Sequence, residues 1–136
     1  VRRKGIAASI SSYHQNLKFG GGFTIFAMPQ TAIDMSTLES EIYYEIENLK
    51  TIPVSDAELN KAKNKALAQS IFRRDSPESI GSYIGQLENT GHQWQEINQY
   101  PIEIQKVTKE EIMAAAKKYF TQDNRTVGYL IATEEQ

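Results

Sequence analysis

Two histidines, His14 and His92, are the side chains best suited to metal or acid–base chemistry, and they stand far apart in the sequence. Glu96 follows His92 by four residues, a spacing that puts both on one face of a helix. Two donors do not make a metal centre, which takes three or four ligands and, for catalysis, an open position for water. The pattern therefore favours a surface histidine near a helix start for His92 and a turn-side histidine for His14. Serines are abundant, but none stands in a G-x-S-x-G elbow. No G-K-[ST] follows Gly20-Gly21-Gly22, and the next segment reads as strand, so these glycines suggest a hairpin turn and not a phosphate loop. The acidic pairs Glu110-Glu111 and Glu134-Glu135 fit a helix start and a tail. Trp94, Tyr100, Tyr119 and Phe120 fall at helical or helix-end positions and read as core.

The composition excludes several classes. A net charge of −2 and a sequence pI near 5.7 give no basic stripe for nucleic acid, and Arg2-Arg3-Lys4 is too short to supply one. No apolar run approaches the ~20 residues of a membrane span. With no cysteine there is neither a disulfide nor a thiolate metal site. That absence suits a reducing cytosol and a bacterial export route equally. The 136 residues are expected to form a single partial domain, because the chain opens at Val1 already reading as strand or pre-strand.

The elements that would position any site follow from periodicity. Residues 5–13 alternate, with Ile6, Ala8 and Ile10 on one face and Ala7, Ser9 and Ser11 on the other. Residues 23–28 are apolar on both faces and predict a more central strand. A long loop over 16–22 joins the two as an antiparallel hairpin, and Pro29 ends the pairing. Four start signals follow. Ser36-Thr37-Leu38-Glu39 has capping-box spacing, with Asp34 as an alternative, earlier start. Ser55-Asp56-Ala57-Glu58 and Thr108-Lys109-Glu110-Glu111 are further boxes, and Ser76-Pro77-Glu78 sets a serine cap before a proline at the first helical position. Gly91 predicts a stop. A short helix over 94–100 should end before Pro101, with a further turn through Ile102 and Ile104. Asp123-Asn124 turns into a closing strand over 126–132. The fold class is α+β: a hairpin, a block of four or five helices and a returning strand, order ββ-αααα(α)-β.

That order, with Val54-Ser55-Asp56-Ala57-Glu58-Leu59-Asn60-Lys61-Ala62-Lys63-Asn64 and Val107-Thr108-Lys109-Glu110-Glu111-Ile112, resembles the later half of one domain of the insulinase/pitrilysin family of zinc peptidases. The likeness runs from Val1 to about Ala132, and its best segments are caps, core faces and turns. It implies half of a larger metallopeptidase-like domain that lines a chamber. The H-x-x-E-H zinc ligands would belong to a separate catalytic domain or subunit, so zinc is expected in the parent and no cofactor in this chain. In that family the non-metal domain often carries an arginine and a tyrosine that bind substrate backbone, in a phrase like V-R-x-K-x-G-L-x-Y-S. Here the phrase reads Val1-Arg2-Arg3-Lys4-Gly5-Ile6-Ala7-Ala8-Ser9, with Ala8 at the tyrosine position and the arginine register shifted by one. Arg2 and Arg3 are the substrate-binding candidates, the alternative being solvated charges at a strand end.

Three readings follow. The first is a substrate-binding wall of a zinc peptidase, with peptide adding as a strand to a sheet edge. The second is a non-catalytic partner or scaffold subunit of the same fold. The third is an unrelated binding module. A free sheet edge also predicts self-association into a homo-oligomer.

Overall fold

Period-two sequence within reach of a turn forms a hairpin, and the opening of this chain does so. The structure, a computed structural model, describes residues 4–131. Strand β1 (Ala7–Leu17) pairs antiparallel with β2 (Gly20–Pro29). The loop is shorter than the sequence suggests: Leu17 faces Gly20, leaving Lys18 and Phe19 alone to turn the chain. Neither has a positive φ, and Gly20 takes up the reversal at φ +146°. Gly21 is needed for another reason, since a Cβ there would lie 2.7 Å from the Gln15 carbonyl oxygen. A register shift between Ala7 and Ser9 breaks the expected alternation. It puts Ala7, which is buried, and Ile10, which is half-buried, on the inner side three residues apart.

Five helices follow: α1 (Met35–Thr51), α2 (Asp56–Phe72), α3 (Pro77–Asn89), α4 (Glu96–Lys106) and α5 (Lys109–Tyr119). Asp34 caps α1, accepting from the Thr37 amide and from the Ser36 and Thr37 hydroxyls, so the earlier of the two expected starts holds. These bonds, led by the Ser36 hydroxyl, hold the Asp34 carboxyl down at about 2. The boxes at Ser55 with Glu58 and at Thr108 with Glu111 are both closed. Helix α3 ends in a Schellman turn. Gly91 sits at φ +85°, with its amide on the Glu88 carbonyl and the His92 amide on that of Leu87.

The closing strand is a correction. Residues 126–131 form no ladder with any described residue, and Ala132 lies outside the described residues. A strand exists only where a neighbour offers matching amides and carbonyls. This segment lies across a groove from β2, and side chains tether it there. The same shortage corrects the expectation for β2, which has β1 on one side and no other strand among the described residues.

Helix α1 packs on α5 and β2, with Ala7, Leu38 and Ala116 buried. Helix α2 packs on α4, with Leu59, Ser70 and Ile97 buried. Two strands give five helices little to cover. Trp94, Tyr100 and Tyr119, expected in the core, are instead exposed, and only Phe120 of that set is partly covered. The accessible surface is 10647 Å². A compact monomer of this mass should expose roughly 7,200 Å².

Helix α4 continues past Pro101, where the sequence suggests a break. Proline has no amide to give the Ile97 carbonyl four residues back. Arg74, just beyond α2, donates to that carbonyl in its place, and it also reaches Asn98 Oδ1 at 3.5 Å. Lys63 Nζ donates to the Gln105 carbonyl at 2.7 Å, in the last turn, where helix carbonyls have no partner of their own. Cations on and just after α2 therefore complete α4 near both ends. Arg74→Met should cost about 1–3 kcal/mol in urea unfolding, the loss of a donor to a partly buried carbonyl. In a Pro101→Ala background, which returns an amide to the helix, the cost should fall by at least half. Equal costs in the two backgrounds would show that the pair is not coupled.

Candidate groove between the second strand and the C-terminal segment

The amphipathic stripe of α1 builds the floor of one concavity. Leu38, Ile42 and Ile46 repeat at helical spacing and turn toward the sheet. Phe23, Ile25 and Ala27 of β2 form one wall, and residues 124–130 form the other, around a volume of about 670 Å³. Phe120 leads the chain to the far wall. Its ring meets Phe23 at 5.0 Å, tilted by 59°. Asn124 then turns the chain, its Nδ2 donating to the Tyr119 carbonyl at 3.1 Å.

One polar cluster fixes the far wall. Glu39 and Tyr43 lie one turn apart on α1, and the Tyr43 hydroxyl donates to Glu39 Oε1 at 2.5 Å. The Tyr129 hydroxyl donates to the other oxygen, Oε2. The Arg125 guanidinium stacks over the Tyr43 ring at 4.1 Å. The two phenols, Tyr129 first, hold the Glu39 carboxyl below its ordinary range. Burial, and then the bond to Glu39, push Tyr43 up to about 12. The cluster is thus an ionised carboxylate held by two neutral donors. That arrangement clamps a segment and provides no general base near neutral pH.

The sequence candidates lie elsewhere. Arg2 and Arg3 are outside the described residues. Lys4, next to them, pairs with Glu41 and with Glu45 at 3.2 Å, which pins the start of β1 to α1. Ala8 is exposed. His14 and His92 line a second cleft of about 460 Å³ between β1 and the helices. His92 lies just past the end of α3, with Nδ1 2.9 Å from Glu96 Oε2. Among the described residues no three histidine, aspartate or glutamate side chains gather as metal ligands, so these donors do not fit a zinc ion. The Glu39–Tyr129 contact could not be read from the sequence, since the two residues are 90 apart. Only the Glu39–Tyr43 half carried a local signal, its helical spacing.

No family model and no curated protein sequence matches the chain. Solved structures do. The inactive peptidase domain of a putative zinc protease from Bordetella parapertussis aligns with a TM-score of 0.85 and 21% identity, covering 100% of this chain and 72% of that one. A putative zinc protease from Bordetella pertussis Tohama I gives 0.82 and 21%, covering 96% and 72%. A protease from Helicobacter pylori gives 0.78 and 21%, covering 90% of this chain and 29% of that one. The chain therefore shares the α+β fold of these solved structures.

The raised phenol gives a test of the cluster. A group whose acid form the fold favours adds stability that is complete below its unfolded value, 10.0 for tyrosine, and is lost as pH rises through about 12. Ultraviolet titration should therefore show one tyrosine ionising near 12. Glu39→Gln should bring it part of the way back, leaving the portion due to burial. A titration curve identical to that of the parent would mean the Glu39 bond contributes nothing.

Proposed function

We propose that this chain is the later part of a non-metal domain of an insulinase/pitrilysin-type zinc peptidase, and that residues 1–136 act as one partial domain. It forms a wall of the substrate chamber. The observation that supports this most is the fold likeness, over the whole chain, to a domain described as an inactive peptidase domain. On this reading the zinc, its ligands and the attacking water are held by a catalytic domain or subunit of the parent. An extended peptide lies along this wall, and its main-chain carbonyls accept from Arg2 and Arg3, whose guanidinium groups each offer five donors. The free sheet edge gives a route to self-association.

A second reading, a scaffold subunit without a role in peptide binding, is favoured by one residue: Ala8 stands where the resembling phrase has tyrosine. The two readings separate on kinetics. In the parent peptidase, Arg2→Ala combined with Arg3→Ala should raise KM for a peptide about tenfold with kcat nearly unchanged, the mark of lost uniform binding. An unaltered KM would favour the scaffold. For either reading the purified chain should carry far less than one equivalent of zinc by elemental analysis, and stoichiometric zinc would overturn both.

A further inference from the structure

The hairpin has two faces, and helix α1 packs on one of them. Exposure alternates along β2: Ile25 and Ala27 are half-buried on the helix side, whereas Thr24, Phe26 and Met28 are exposed on the other. The register sets Ser9 opposite Met28, Ser11 opposite Phe26 and Tyr13 opposite Thr24, so these side chains share the bare face. Tyr13 is 55% exposed, Phe26 61% and Met28 53%. Phe26 stands between the other two, a diagonal neighbour of Tyr13 and two residues along from Met28, which makes one apolar patch. Phe26 and Met28 also border the groove beside β2. Single exposed apolar residues are ordinary, but a row of them on one face marks a place of contact. Neither strand contains aspartate, glutamate, lysine or arginine. Lys18 stands at the turn, its Nζ 5.5 Å from the centre of the Phe19 ring. The other side chains at the patch, Ser9, Ser11 and Thr24, are small and neutral.

We infer that the bare face of the hairpin, centred on Phe26, binds extended peptide segments with apolar side chains and rejects charged ones. Side chains of an extended peptide face one way at every second position, the same repeat that sets Phe26 and Met28 on this face. The hydroxyls of Ser9, Ser11 and Thr24 offer donors and acceptors to the peptide main chain, which is the same in every sequence. Rejection comes from desolvation. A carboxylate or ammonium group pressed on this patch loses water and meets no opposite charge on either strand. The small size of the patch also fits a peptide. Three large side chains fall far short of the roughly 20–30 residues a side of a standard protein interface. The chamber proposal, on which this rests for the fate of the peptide, makes this bare face the one a substrate meets.

Nuclear magnetic resonance titration of the full chain tests it, with a blocked Ser-Leu-Thr-Phe-Ser-Leu-Thr peptide as the probe. The methyl signal of Met28 and the ring signals of Tyr13 and Phe26 should shift, and the methyl signals of Leu38 and Ile42 on the helix side should not. Copies of the peptide with glutamate or lysine in place of each leucine should bind about tenfold more weakly. Phe26→Ser should weaken the apolar peptide about tenfold while the helical circular dichroism stays unchanged. Phe26→Lys should reverse the order, so that the glutamate copy binds better than the apolar peptide. Equal affinity for the three peptides would overturn the inference. So would shifts confined to Leu38 and Ile42, or no shift at millimolar peptide. A dimer that forms without peptide and shifts the Tyr13, Phe26 and Met28 signals would assign the face to a second copy and overturn it as well. The Arg2 and Arg3 variants of the parent peptidase are a separate measurement. An unaltered KM there would count against the chamber role and leave this face its ligand, and failure here would leave the chamber role standing.

Discussion

Five helices need a sheet face, and the two strands among the described residues do not supply it. That constraint governs the rest of the structure. A helix stripe or a sheet face is stable only when pressed against another apolar surface. Here α1 finds β2 and α5, α2 and α4 find each other, and much of the remaining apolar surface faces solvent. The exposed Phe26, Met28 and Leu130 and the open groove are one fact seen at different positions. The lack of a ladder between residues 126–131 and any described residue belongs with them.

Where sheet is lacking, the chain is held by polar bonds between side chain and main chain or between side chains. Arg74 and Lys63 finish the hydrogen bonding of α4. Lys4 fastens the start of β1 to α1, and Lys109 pairs with Asp56 at 2.8 Å, joining the starts of α5 and α2. Exposed ion pairs add little each, of order 0–1 kcal/mol. The donors to carbonyls near Pro101 and the end of α4 weigh more, because a backbone acceptor left unpaired away from water is expensive.

Local chemistry was legible in the sequence and distant chemistry was not. The caps at Ser55, Ser76 and Thr108, the stop at Gly91 and the α1 stripe each depend on residues within a turn of one another, and each stands in the structure as read. The failures needed knowledge of neighbours. Pro101 reads as a breaker unless Arg74 is known to replace its amide. Residues 126–132 read as strand because alternation records which face is apolar, and is silent on whether an edge lies alongside. The Ala7 bulge escaped for a related reason, since a single inserted residue leaves no compositional mark. Of the groove, the α1 floor was visible, whereas the clamp of Glu39 by Tyr129 joins distant parts of the chain.

The manner in which residues 125–130 are fastened has an evolutionary consequence. A ladder of amides and carbonyls is indifferent to most substitutions, because every residue but proline carries the same pair of groups. A hold made of one phenol, one carboxylate and one stacked guanidinium has no such tolerance. Tyrosine to phenylalanine at Tyr129 deletes one oxygen and, with it, the bond from this wall to Glu39. The hairpin can thus drift in sequence and keep its shape, while the far wall of the groove can be unlatched by single substitutions. Relatives of this chain should differ most in the position of this wall.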